Sequence, residues 1–163
     1  VTVSVNMGKP KFKWNEIPLT KDVDTVDINF SIKDLTLKKP FLVNIGNPHI
    51  IFFDDEIEKY DIESFGSLIE NDNLFPEKIN VSFAKLKSDN HIILNVWERG
   101  AGKTKACGTA ACATAVAGVE MGVIKNKVTV TLPGGDLEIY YESSDNIIMT
   151  GPTEINFTDK YKL

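Results

Sequence analysis

The residues best placed to do chemistry lie between positions 97 and 116, WERGAGKTKACGTAACATAV. Gly100, Ala101 and Gly102 form a loop whose backbone can approach a ligand closely. After the loop comes Cys107, and after Cys107 a run of small residues, mostly alanine. This order predicts a helix with Cys107 in its first turn, where unpaired N–H groups point outward and the macrodipole favours negative charge. A thiol there is expected to ionise more readily than a free cysteine, whose pKa is about 8.5. The same N–H groups can hold a carboxylate. The segment therefore joins a candidate proton-transfer thiolate to an anion cradle. The plainer alternative is that Cys107 is inert packing, as most buried cysteines are. Cys112 would lie about 140° round a helix of ~3.6 residues per turn. The two thiols therefore cannot pair in a regular helix, and their spacing is not that of a zinc site. Cys112 reads as helix packing.

The elements that must position Cys107 are mostly strands. Alternation of apolar and polar residues predicts strands over 1–7, 23–32, 41–45, 50–53, 79–86, 92–97, 127–132 and 137–141, with short final ones at 147–150 and 154–157. The pairs 79–86/92–97 and 127–132/137–141 read as hairpins, the second turning at Pro133-Gly134-Gly135-Asp136. Ile62 to Glu70 carries a helical apolar stripe. The helix expected over 107–121 has no charged face before Glu120, and a helix apolar all round is buried all round. The fold class that follows is α+β, a curved, barrel-like, mostly antiparallel sheet around one central buried helix.

Bulk properties narrow the function classes. The 163 residues suffice for one domain with a sizeable core. A net charge of −5 argues against a nucleic-acid partner. Two cysteines do not make a disulfide scaffold, which fits a reducing cytoplasm. No apolar run reaches the length of a membrane span. The chain opens directly in a period-two pattern at Val1, without Met or signal peptide, which suggests a segment of something longer.

Five motifs then point in one direction. VNMGKP, GNPH, FPEKINVSF, WERGAGKTKACGTAACA and LPGGDLEI occur in the order seen in diaminopimelate epimerases, and the chain resembles the C-terminal half of that family. The resemblance implies a fold group that also holds proline racemase and phenazine-biosynthesis isomerase-like proteins, each with two similar lobes. It implies a cofactor-independent epimerase, with no pyridoxal phosphate and no metal, that interconverts LL- and meso-diaminopimelate for lysine and peptidoglycan precursors. Two cysteines, one per lobe, would face opposite sides of the α-carbon, one removing a proton and the other returning one.

Carried over by motif, the candidate catalytic residues are Cys107, His49 and Glu98. The candidate substrate-binding residues are Asn47, Asn80, Glu98, Arg99, Gly108 and Thr109. Gly108 and Thr109 would hold the α-carboxylate. Asn47, Asn80, Glu98 and Arg99 would hold the distal amino-acid end, Arg99 being suited to a carboxylate. His49 resembles a site histidine that assists proton transfer. Read without the resemblance, Asn47 and His49 fit a turn, and Glu98 with Arg99 fits a surface pair. Asn80 within a strand is harder to explain plainly, because Asn is depleted there.

Two departures from the family pattern stand out. Gly108-Thr109-Ala110-Ala111 replaces the usual Gly-Ser/Thr-Gly-Ala, and the first-lobe cysteine motif does not occur in this sequence. The expectation is that residues 1–154 form the second lobe, while 155–163 form a strand belonging to the missing first lobe's sheet. The partners expected are the small-molecule substrate and that first lobe, with a homodimer left open. The rivals are another racemase of the same fold acting on proline or hydroxyproline, a binding or assembly lobe without chemistry, and a standalone cysteine hydrolase.

Overall fold

The computed structural model describes the chain apart from residues 33, 34, 38, 157 and 161–163. Its strands are β1 (Thr2–Asn6), β2 (Ser31–Ile32), β3 (Leu35–Thr36), β4 (Phe41–Asn44), β5 (Pro48–Phe53), β6 (Asn80–Ser88), β7 (His91–Glu98), β8 (Gly102–Thr104), β9 (Lys127–Leu132), β10 (Gly135–Tyr140) and β11 (Ile148–Pro152). Two helices, α1 (Ile62–Glu70) and α2 (Gly108–Glu120), interrupt them. One large sheet runs in the order β1-β11-β10-β9-β7-β6-β5-β4, with β8 also on β7, while β2 and β3 form a separate ribbon.

The sheet is mostly antiparallel, and its two parallel pairs are the two that helices connect. β5 runs parallel to β6 across α1, and β7 parallel to β9 across α2. A parallel pair requires a crossover of this kind, whereas the antiparallel β6–β7 and β9–β10 pairs close through short turns. Both crossovers step the same way across the sheet from strands of opposite direction, so crossovers of one hand fall on opposite faces. The two cores show this. Ile51, Ala84, Leu94 and Val96 pack with α2 on one face, and Ile50, Phe52, Val81 and Phe83 pack with Ile62 and Ile69 of α1 on the other. The path from β1 to β4 stays open.

Each helix begins and packs for local reasons. Asp61 caps α1, its carboxylate accepting from the Glu63 and Ser64 amides. Gly66 lets α1 lie on β7, since a Cβ there would stand 2.4 Å from Trp97 Cγ. In α2 every residue from Ala110 to Gly118 is buried, as its uniformly apolar composition requires. Tyr141 secures its far end by donating to Glu120 Oε1 at 2.6 Å.

The expected strand over 23–32 is present only as Ser31–Ile32. Val26 N–H donates to Asp24 Oδ1, and Thr25 Oγ1 donates to the Phe12 carbonyl, so side chain and turn take the backbone groups a strand would have used. The short strand expected at 154–157 is not formed by Glu154, Ile155 or Asn156, which are exposed and irregular, and Phe157 lies outside the described residues. Among the described residues no helix is long and apolar enough to cross a membrane.

Candidate active site

The end of β7, the starts of β5 and β6 and the N-terminus of α2 meet at one end of the sheet. They meet there because β7 runs antiparallel to β6 and β5 runs parallel to it. Cys107 is the N-cap of α2, one residue before the first turn, with extended φ/ψ of −150° and 102°. Its carbonyl accepts the first helical bond, from Ala111 N. Its thiol is buried and lies 3.5 Å from Thr109 Oγ1.

The expected drop in the Cys107 pKa is reversed. Burial pushes the thiol up, and the Glu98 carboxylate beside it pushes it further, while Thr109 and the Ala110 amide pull it back. Desolvation and a neighbouring anion outweigh a helix terminus whose influence is confined to the first turn. Cys112 is fully buried in the core, and burial pushes its thiol up to about 12.

Asn47 comes from the turn before β5, and His49 is the second residue of that strand. His49 is completely buried, and its Nε2 lies 2.8 Å from Asn47 Oδ1. Asn47 Nδ2 in turn donates to Thr109 Oγ1 at 3.2 Å. Burial, helped by Arg99, lowers the His49 pKa from 6.5 to about 3, so the imidazole is neutral. Asn80, at the start of β6, is a staple between two turns. Its Nδ2 donates to the Pro48 carbonyl at 2.9 Å, and its Oδ1 accepts from Arg99 N at 2.8 Å. Arg99 is exposed and its guanidinium donates to the Glu77 carbonyl.

Cys107, Glu98, Thr109, Asn47 and His49 therefore form one cluster, with Gly108 at the helix start. Asn80 and Arg99 flank it through backbone contacts. The arrangement puts a thiol beside a carboxylate that can take its proton and beside helix amides that can hold an anion. Two hollows of about 400 Å³, one lined by Tyr60, Asp61, Phe83 and Lys103 and the other by Lys21, Phe30 and Leu74, contain none of these residues. The cluster is the better candidate because it joins a nucleophile, a base and donors, which neither hollow does.

A sequence model of the family described as diaminopimelate epimerase matches residues 41–156. The chain belongs to the diaminopimelate epimerase family. It is 48% identical over 153 residues to the diaminopimelate epimerase of Erythrobacter litoralis, covering 94% of this chain and 56% of that protein. It is 49% identical over 159 residues to that of Methylocella silvestris, covering 94% and 55%. The chain thus spans little more than half the length of these relatives. The solved structure of a protein described as a predicted epimerase from Pseudomonas aeruginosa superposes with a TM-score of 0.57 at 14% identity, over 96% of this chain and 59% of the other. A structure described as a probable proline racemase from Agrobacterium radiobacter K84 gives 0.57 at 15%, over 91% and 49%. These two likenesses establish a shared fold.

Two residues of this chain escape sequence reasoning. Glu70, the last residue of α1, is buried, and its two oxygens accept from Trp97 Nε1 at 2.9 Å and Gly100 N at 2.8 Å. It clamps the loop that carries Glu98 and Arg99. A lone acidic residue ending an apolar stripe was its only sign in the sequence. Met149 of β11 lies over the helix start, so that a Cβ on Gly108 would meet its sulfur at 3.0 Å. Nothing local marks Met149, because a strand about forty residues away brings it there.

Proposed function

We propose that this chain is the second lobe of a cofactor-independent epimerase that interconverts LL- and meso-diaminopimelate, in the supply of lysine and peptidoglycan precursors. Cys107 is one of two acid–base groups, and the other is a cysteine of a first lobe facing the opposite side of the α-carbon. One thiolate takes the α-proton while the opposite thiol delivers its own, so the configuration inverts with no net change in protons or electrons. Glu98 is the group that accepts the Cys107 proton. The amides of Gly108 and Thr109 hold the α-carboxylate and stabilise the charge that develops beside it. Asn47, Asn80 and Arg99 bind the distal end. Residues 1–154 belong to the second lobe, and the expectation that 155–163 return to the sheet of the first falls in part on residues outside the described ones.

The observation that carries this reading is the seating of Cys107 at the N-cap of a buried helix between Glu98 and Thr109, in a chain of this family. The test is proton exchange at Cα. In D₂O the full-length protein should convert LL- into meso-diaminopimelate with deuterium at the inverted α-carbon, and Cys107→Ala should abolish that inversion. The 163-residue chain alone should not convert LL- into meso-diaminopimelate, because a single thiol cannot protonate the opposite face. Turnover of proline or hydroxyproline instead would replace the substrate assignment, and epimerisation by the monomeric 163-residue chain alone would overturn the two-lobe mechanism.

A further inference from the structure

Three contacts link the buried histidine to the candidate nucleophile in one continuous line. His49 Nε2 meets Asn47 Oδ1 at 2.8 Å, Asn47 Nδ2 meets Thr109 Oγ1 at 3.2 Å, and Thr109 Oγ1 meets Cys107 Sγ at 3.5 Å. Asn47 must donate at one end and accept at the other, and the Thr109 hydroxyl has one hydrogen and two lone pairs, so two polarities keep that hydrogen within the line. In one, His49 carries its proton on Nε2 and every donor points toward the sulfur. In the other, the Asn47 amide is turned over, its NH₂ donates to a bare Nε2, the Thr109 hydroxyl donates to Asn47, and the thiol donates to Thr109.

The buried far side of the imidazole separates them. Among the described residues His49 Nδ1 has no hydrogen-bond partner, and it is shielded from solvent. The first polarity leaves a bare acceptor there. The second leaves a buried N–H with no acceptor, and orphaned buried N–H groups are the rarer and costlier defect. We propose that the line runs one way, from His49 through Asn47 and Thr109 to Cys107, so that the Thr109 hydroxyl is committed to donating to the Cys107 sulfur and His49, held as the Nε2–H tautomer, sets that direction. This rests on Cys107 being the reacting thiol. His49 and Asn47 are then positioning residues that act through Thr109, and His49 moves no proton itself.

The consequence is a balance at the sulfur. Glu98, from the end of β7, is the titratable group whose charge acts on Cys107; the Cys107 charge acts in turn on Cys112, within α2, and Arg99 acts on His49. Glu98 disfavours the thiolate. The committed Thr109 hydroxyl favours it, because a sulfur anion accepts a hydrogen bond more strongly than a thiol. Without the His49 end, Asn47 could turn over and Thr109 could direct its hydrogen away from the sulfur.

The test reads the thiol and the ring rather than turnover. In the full-length protein, the rate of iodoacetamide alkylation at Cys107, resolved by mass spectrometry across pH, gives its apparent pKa. Thr109→Val should raise that value by about one to two units, the scale of a hydrogen bond to a charged group. Thr109→Ser, which keeps the hydroxyl, should restore it to within a few tenths. An unchanged or lowered value in Thr109→Val overturns the proposal. Nitrogen-15 NMR of the unaltered protein supplies a reading that no misfolded variant can spoil: His49 should show a protonated Nε2 and a bare Nδ1, and the opposite tautomer overturns the direction. A shifted thiol in a protein that exchanges no Cα proton would keep this line and remove the proposed reaction. Exchange without the shift would do the reverse.

Discussion

Cys107 sits where its surroundings resist the thiolate, and the chief cause beyond burial is Glu98. A carboxylate that raises a thiol's pKa is also well placed to take its proton. Glu98→Gln should therefore separate two quantities that usually move together. The apparent pKa of Cys107 should fall, because the opposing charge is gone, while epimerisation by the full-length protein should slow by roughly 10²–10⁴-fold, because the proton acceptor is gone. Alkylation rates and Cα exchange measured on one preparation check both, and a slower enzyme with a less acidic thiol would contradict the role given to Glu98. The sequence pointed to Cys107 through residue type and spacing, and to Thr109 and Asn47 through the family resemblance. It could not show the direction of the thiol's shift, since Glu98 reaches the sulfur only through the packing of β7 against α2. His49 yields a second prediction. Its pKa is about 3 in the folded chain against an ordinary 6.5, so the folded state refuses a proton that the unfolded state takes. The stability linked to this group is complete above pH 6.5 and is lost progressively as pH falls toward 3. The stability gap between the unaltered chain and His49→Gln, measured by urea unfolding, should shift by a few kcal/mol in favour of the variant on acidification. A pH-independent gap would mean that His49 is not held neutral.

At the scale of elements, the most exacting contact is between α1 and β7. Gly66→Ala would gain up to about 1 kcal/mol of helix propensity. It would also drive a methyl to within 2.4 Å of Trp97 Cγ, with Cβ and Cδ2 nearly as close. Overpacking of that kind costs about 1–3 kcal/mol or more, so the net effect should be a clear loss of stability in thermal or urea unfolding. Because Trp97 shares Glu70 with the loop at Gly100, the same change should raise KM in the full-length protein through displaced Glu98 and Arg99. An Ala variant of unchanged stability would show that Trp97 has room to move. Strand positions were legible wherever one face is buried, as in β9, whose buried and less buried residues alternate along its length. They were misread over 23–32, where alternation of residue types persists but Asp24 and Thr25 tie the backbone into turns. Parallel pairing was not legible at all. It depends on the crossovers through α1 and α2, which no local pattern encodes.

At the scale of the whole molecule, the two edges of the sheet are finished differently. At the β4 edge, the Lys11 and Asn44 backbones exchange hydrogen bonds, and the Asn44 side chain donates to the Glu16 carbonyl, so the edge is covered by the chain itself. At the other edge, β1 pairs with β11 and, among the described residues, carries no further strand. All five of its residues are exposed, and Val3 and Val5 are 44% and 43% open on the same side of the strand. Open edges with apolar side chains invite pairing between copies. Expressed alone, the 163-residue chain should therefore associate reversibly, its weight-average mass in sedimentation rising with concentration. Val5→Lys, which adds a charge and removes an apolar contact at that edge, should return it toward monomer without loss of helical signal. The full-length protein, whose first lobe is proposed to lie against this half, should show no effect of Val5→Lys on its mass at the same concentrations. A lobe that stays monomeric at high concentration would mean that β1 tolerates its exposure. Association unaffected by Val5→Lys would move the interface elsewhere, to the face carrying Cys107 or to the segment after Pro152.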